Sequence, residues 1–230
     1  MTTDITELSR RGCAAYWVVA ALAWVGVAAT LIITAFDGYA PPTYHEEGLF
    51  AGAPHGWAGA PERLINCLSY FTELSNIMVA VISTVLARRG RVGAWGRATH
   101  LCALMMITVT AIVYATLIGP YETLSGFALV TNPLQHVVVP AAFVGTAALA
   151  GPRGGISWAT LGRVLLIPVA WVAYTLVRGS FTHQYPYGFV NVWRIGYAQV
   201  AINIVAILIG ALVFMALFAG ADWLIRKASR

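Results

Sequence analysis

Long apolar stretches alternate with short polar breaks along this chain. Six stretches approach or exceed the roughly 20 apolar residues that a helix needs to cross a hydrocarbon layer about 30 Å thick. They cover about residues 12–36, 63–86, 99–118, 133–150, 158–177 and 195–225. The breaks differ in kind. "DGYAPPTYHEEGLFAGAPHGWAGAPE" is crowded with proline, glycine and acidic residues, which mark a loop. "ARRGRVGAWGR" and "GPRGG" are short basic turns, and "GPYETLSGFALVTNP" is a partly apolar loop. "RGSFTHQYPYGFVNVWR" is rich in aromatic residues that favour the headgroup region. One polar cluster is not a break at all: "YFTELSN", residues 70–76, sets Thr72, Glu73, Ser75 and Asn76 inside an apolar run.

The pattern predicts an all-α fold, a polytopic membrane protein of six transmembrane helices in one integral membrane domain. Composition agrees, with 59% hydrophobic residues, 10% charged residues and a mean hydropathy of +0.75. The net charge of +5 changes the picture through its placement. With the N-terminus and C-terminus cytoplasmic, Arg10, Arg11, Arg88, Arg89, Arg91, Arg97, Arg153, Arg163, Arg226, Lys227 and Arg230 lie on the cytoplasmic side, 11 of 14 basic residues. Arg63, Arg178 and Arg194 remain outside. That bias is the positive-inside signature, not a nucleic-acid face, so no nucleic-acid partner is expected. The first apolar run is too long for a signal-peptide core and is expected to stay as a span. Thirteen arginines against one lysine point to a GC-rich genome, and the expected location is the bacterial cytoplasmic membrane. Cys13, Cys67 and Cys102 lie in or beside apolar runs without metal spacing, and read as packing residues.

If residues 63–86 form one helix, Asn66, Ser69, Thr72, Glu73 and Asn76 share a face. A polar stripe of that kind faces the bundle or a wet cavity, not lipid. Taken singly, Ser69, Thr72 and Asn76 also fit plain interhelical hydrogen bonding. Glu73 demands more, because an intramembrane carboxylate must be neutralised, paired or hydrated. "NPLQHVVVP" opens the fourth stretch, with Pro133 suited to a first helical turn and Gln135 and His136 just behind it. His136 then lies about one turn from the outer surface, while Thr72 lies about 13 Å along its helix from Arg63. The nominal depths differ by several ångströms.

Histidine is the usual general base near neutral pH and activates a hydroxyl within hydrogen-bond reach. Thr72 and His136 are therefore a candidate nucleophile and base. Glu73 or Asn76 is expected to orient the imidazole. Asn76, Gln135 or a backbone N–H is expected to hold the oxyanion, with Ser69 supporting. Arg178, Tyr187 and Asn191 are candidates for binding substrate, Arg178 or Arg194 through a lipid carboxylate or phosphate. The plainer alternative is that the arginines anchor helix ends and that Tyr185 and Tyr187 sit in the interface. His45, Glu46, Glu47 and His55 are metal-ligand types in a loop that fixes no geometry, so no metal is expected. No cofactor is expected either: there is no phosphate loop, no dinucleotide fingerprint and no lysine inside a span.

Three blocks, "YFTELSN", "NPLQHVVVP" and "YPYGFVN", resemble the androgen-induced protein / androgen-dependent TFPI-regulating protein family, which has a branch of small bacterial membrane proteins. Its animal members are multi-span hydrolases of fatty-acid esters of hydroxy fatty acids, and use a membrane threonine and a histidine. By motif these correspond to Thr72 and His136. The resemblance implies an intramembrane hydrolase of lipid or fatty-acid esters, with a Thr nucleophile and a His base facing the outer leaflet. Its partners would be membrane lipids and an amphiphilic ester substrate. The alternative is a non-enzymatic, proton-linked carrier of lipid or another small molecule, with Glu73 and His136 as binding groups.

Overall fold

A computed structural model describes residues 7–40, 46–50, 53–153 and 158–228. Among the described residues eight α-helices form in order: α1 (Arg10–Ala35), α2 (Ala60–Ser69), α3 (Phe71–Arg89), α4 (Ala94–Val113), α5 (Ala128–Pro133), α6 (Val139–Ala150), α7 (Trp158–Thr182) and α8 (Val192–Ala228). A π-turn, Tyr114–Ile118, extends α4, and a second, Leu134–Val138, joins α5 to α6. Counted as continuous rods among the described residues, six helices are long and apolar enough to cross a bilayer, from Arg10–Ala35 to Val192–Lys227. The fold is all-α and that of an integral membrane protein. Among the described residues the one extended pairing is a single bridge between Leu49 and Tyr185.

The core follows from which faces find a helix rather than lipid. Tyr16, Val19 and Ala23 of α1 pack with Val79, Ala80 and Leu86 of α3, Ala103 and Ile107 of α4, and Val139 and Phe143 of α6. Small residues let these backbones approach closely, and hydrogen bonds stitch them. Ser75 Oγ lies 2.9 Å from Thr110 Oγ1, and Trp24 Nε1–H donates to Thr84 Oγ1 at 3.1 Å. By contrast α8 exposes Ile202, Val205, Ile209, Leu212, Val213 and Leu217. Such a surface suits acyl chains and would be an aggregation liability in water. At one end the Leu8 N–H donates to Gly90 O at 2.7 Å, fixing the start of α1 beside the α3–α4 turn. Gly90 ends α3 in the left-handed region (φ 64°), which favours glycine.

Three departures from the sequence expectation position the site. The second span is not one helix: it breaks at Tyr70 (φ −70°, ψ 136°) into α2 and α3. The break stands because its loose ends are satisfied. Trp171 Nε1–H donates to Ser69 O at 2.9 Å, and the Tyr70 ring packs edge-on against Phe50 and Tyr187. The fourth span starts at Ala128, five residues before Pro133, so Pro133 lies inside the helix and precedes a π-turn instead of opening the first turn. Finally, α8 begins at Val192 but is interrupted at Gly196 (φ 74°, ψ 162°), where an L side chain would be strained.

Candidate active site

The break at Tyr70 makes Thr72 the second residue of a new helix, α3. The first amides of a helix have no intrahelical acceptor. Here they open into the bundle, and the Thr72 N–H donates to the Tyr187 hydroxyl at 3.3 Å. The earlier start of the fourth span carries His136 eight residues, about 12 Å, into its helix. The two side chains meet, with Thr72 Oγ1 3.2 Å from His136 Nε2.

The proton positions follow from the partners. His136 Nδ1 lies 3.0 Å from the carbonyl oxygen of Asn132, which can only accept. Nδ1 therefore carries the hydrogen, and the neutral ring presents Nε2 as acceptor to the Thr72 hydroxyl. Tyr187 Oη is 3.3 Å from Thr72 Oγ1 and, with that hydroxyl proton committed to His136, donates to it. The chain of hydrogen bonds runs one way, Tyr187 to Thr72 to His136 to Asn132. Surrounding rings desolvate the Tyr187 phenol and push its pKa up to about 12, so it stays a donor. Tyr114, first residue of the other π-turn, stacks on the imidazole with centroids 4.0 Å apart. Two π-turns thus meet at one histidine, and such turns are frequent at functional sites. Thr72 and His136 are half-buried, walled by Tyr187, Trp171, Phe71 and Phe189.

Other candidates sit elsewhere than expected. Neither Glu73 nor Asn76 touches the imidazole; the Asn132 carbonyl orients it. Gln135 Nε2–H donates to Glu73 Oε1 at 2.8 Å, and the second carboxylate oxygen is buried without a hydrogen bond. Asn76 Nδ2–H donates to Thr72 O at 2.9 Å and Gln135 O at 3.3 Å. Asn76 and Gln135 are thereby committed to tying α3 to the π-turn and are not poised as oxyanion donors. With α2 and α3 separated, Ser69 leaves the shared stripe. Its hydroxyl donates to Ile65 O at 2.6 Å and meets Tyr174 Oη at 2.8 Å and Arg178 at 3.2 Å. Arg178 also donates to Asn66 Oδ1 at 2.5 Å and lies over the Phe50 ring, so its first task is to clamp α7 to α2. Asn191 is fully buried, donates to Glu47 O at 2.7 Å and accepts from the Arg194 N–H. It folds the outer loops and does not line the site. Tyr187 alone of the three proposed substrate binders reaches Thr72.

The metal-ligand types of the first loop are dispersed. His55 Nδ1 is 2.7 Å from Asp37 Oδ2, and that hydrogen bond holds the Asp37 carboxyl below the usual carboxylate range. Glu46 pairs with Arg194 at 2.6 Å, while His45 lies outside the described residues. Among the described residues, no three His, Cys, Asp or Glu side chains group as metal ligands. Tyr187, Tyr114 and the Asn132 carbonyl are the contributions that residue type alone did not assign to this chemistry. No protein-family model, curated protein or solved structure matches the chain.

Proposed function

We propose that this protein is an intramembrane hydrolase of lipid or fatty-acid esters, in the manner of the androgen-induced protein family that its motifs resemble. One observation carries the reading: Thr72 Oγ1 is 3.2 Å from His136 Nε2 while the opposite ring nitrogen is held by a carbonyl. That is the arrangement of an activated hydroxyl nucleophile. Thr72 Oγ1 attacks the acyl carbonyl carbon, and its proton passes to His136 Nε2. The developing negative charge is met by the Tyr187 hydroxyl, with the Thr72 N–H beside it. His136 returns the proton to the departing alcohol oxygen. Water, deprotonated by the same imidazole, then cleaves the acyl-threonine and frees the acid. An amphiphilic ester enters sideways, its chains against the aromatic walls. On this reading the arginine-rich end faces the cytoplasm and Thr72 serves the outer leaflet.

Purified protein, assayed for release of fatty acid from long-chain esters, tests this. Thr72→Ala is expected to lower turnover by about 10³-fold or more. Thr72→Ser, which keeps the hydroxyl, is expected to retain a measurable rate and labelling by a fluorophosphonate probe. Equal turnover in wild type and Thr72→Ala would remove the mechanism. The carrier reading draws on the unbonded Glu73 oxygen, but Glu73 binds Gln135 rather than His136. The two groups that a proton-linked carrier would couple are not paired.

A further inference from the structure

We propose that the opposite, arginine-rich end of the bundle holds an anion site for the headgroup of a membrane amphiphile, built on Arg97 and Arg153. At this end α4, α6 and α8 leave a cavity of about 100 Å³. Arg97 and His100 of α4 line it, with Arg153 from the turn after α6, Asp222 of α8, and apolar walls that include Leu104 and Phe218. It lies far from Thr72: His100 and Tyr114, which stacks on His136, are 14 residues apart along α4 and the π-turn that extends it, or about 21 Å along the axis.

Arg97 is only 9% exposed, and among the described residues its guanidinium makes no hydrogen bond or ion pair. A guanidinium does not shed its proton in proteins, so the charge must be met by something. Among the described residues that line the cavity, Asp222 is the one carboxylate facing two arginines. Asp222 Oδ2 is held by Arg226 Nε at 3.1 Å, one turn along α8. His100 Nε2 is taken by the Tyr16 hydroxyl at 2.9 Å. Arg153, at the mouth, donates to the Ala148 carbonyl. Among the described residues, two guanidinia thus line one small cavity with a single carboxylate, which is paired with Arg226.

An oxyanion between Arg97 and Arg153 would meet both with charge-assisted hydrogen bonds. The cavity admits a phosphate or carboxylate group and little more. The remainder of the ligand must stay outside, against the apolar faces of α6 and α8, which is what an amphiphile offers. Basic pockets between spanning helices take anionic headgroups in this way. The site is independent of ester cleavage at Thr72.

Native mass spectrometry of the purified protein tests it, with equimolar phosphatidylglycerol and phosphatidylcholine of identical chains. Wild type is expected to retain phosphatidylglycerol preferentially. Arg97→Gln is expected to lower that preference about tenfold, the loss of one charge-assisted contact. Arg153→Gln, half-buried at the mouth, is expected to lower it less, and carries the test if Arg97→Gln does not fold. Arg91→Gln, on the exposed turn, is expected to change nothing. Displacement by oleate would assign the natural ligand to fatty carboxylates, and displacement by inorganic phosphate to phosphates. Equal retention of the two lipids, an unchanged preference in both variants, or an equal loss in Arg91→Gln would overturn the proposal.

Discussion

Each end of this bundle holds a histidine hydrogen-bonded to a hydroxyl from another helix, and the two pairs have different surroundings. His100 Nε2 is 2.9 Å from the Tyr16 hydroxyl, with both residues buried. His136 Nε2 is 3.2 Å from Thr72 Oγ1, with both half-buried. The Tyr16 ring is locked edge-on between His100 and Phe143, deep in the α1–α3–α4–α6 core. Around Thr72 stand a tyrosine hydroxyl, a helix start whose Thr72 N–H donates to that hydroxyl, and a carbonyl behind the imidazole. A His–hydroxyl pair becomes reactive through its surroundings. Closed in by rings it is a strut between helices.

The sharpest way to break this contrast is to treat both histidines alike. His136→Gln is expected to lower ester turnover by about 10²- to 10⁴-fold, the usual share of a general base. His100→Gln is expected to leave turnover per folded molecule within about twofold, its cost appearing in the yield of folded protein. Initial rates in detergent, normalised to monodisperse protein, check both. Comparable losses would mean that the two ends act in one reaction.

Tyr187→Phe comes next in size. It removes the donor to Thr72 Oγ1 and leaves the ring, which stacks on Phe189 at 5.1 Å. Loss of one donor to developing charge costs about 10²-fold in kcat when the bond strengthens in the transition state. We expect that loss in kcat with KM little changed. A rise in KM at constant kcat would instead make Tyr187 a binding residue, as its place in an aromatic loop first indicates.

How far the sequence discloses these two regions depends on where each constraint lives. The bilayer forces backbone polar groups to be satisfied within helices, so six spans are legible from apolar runs alone. Thr72 and His136 are legible as chemical types. Their meeting is not, because it depends on the break at Tyr70 and the start at Ala128. The first is set from a distance: the break is sustained by Trp171, a hundred residues along the chain. The orienting group is a backbone carbonyl, which no residue identity announces. Asn191 misleads for the converse reason. An amide in an aromatic loop fits a ligand contact and an internal loop bond equally well, and here it donates to Glu47 O. The Tyr16–His100 pair spans 84 residues and belongs to no motif.

Tyr16→Phe sharpens the structural half of the contrast. It removes the partner of a buried imidazole. A lost interhelical hydrogen bond in a membrane averages about 0.6 kcal/mol, whereas a buried polar group left alone costs about 1–3 kcal/mol. The enclosed position of His100 favours the lower part of the second range, so a destabilisation of about 1 kcal/mol is expected, with turnover unaffected. Unfolding midpoints in mild detergent read the first, and initial rates the second. Thr72→Val is expected to show the reverse profile, lost turnover with little change in midpoint, because Thr72 is half-buried and valine keeps its branched shape.

The smallest expected effect belongs to Glu73, the residue that looks most exceptional in the sequence. Its bonded oxygen accepts from Gln135, and its other oxygen has no hydrogen bond among the described residues. Glu73→Gln keeps an acceptor for Gln135 and places no charge in the core. Neither oxygen reaches Thr72 or His136 in the hydrogen-bond network, so the hydrolase reading has no step for the carboxylate to perform. Turnover is expected within about twofold of wild type, and stability within about 0.5 kcal/mol, because removing an unpaired buried carboxylate offsets the weaker bond to Gln135. Reconstituted vesicles loaded with a pH dye supply the opposing measurement. If Glu73→Gln abolishes a proton-linked uptake while ester turnover is absent from wild type, the polar end of the bundle is a carrier site. If turnover falls more than tenfold with uptake absent, Glu73 belongs to the reaction, and the reactive end extends one turn deeper than the Thr72–His136 pair.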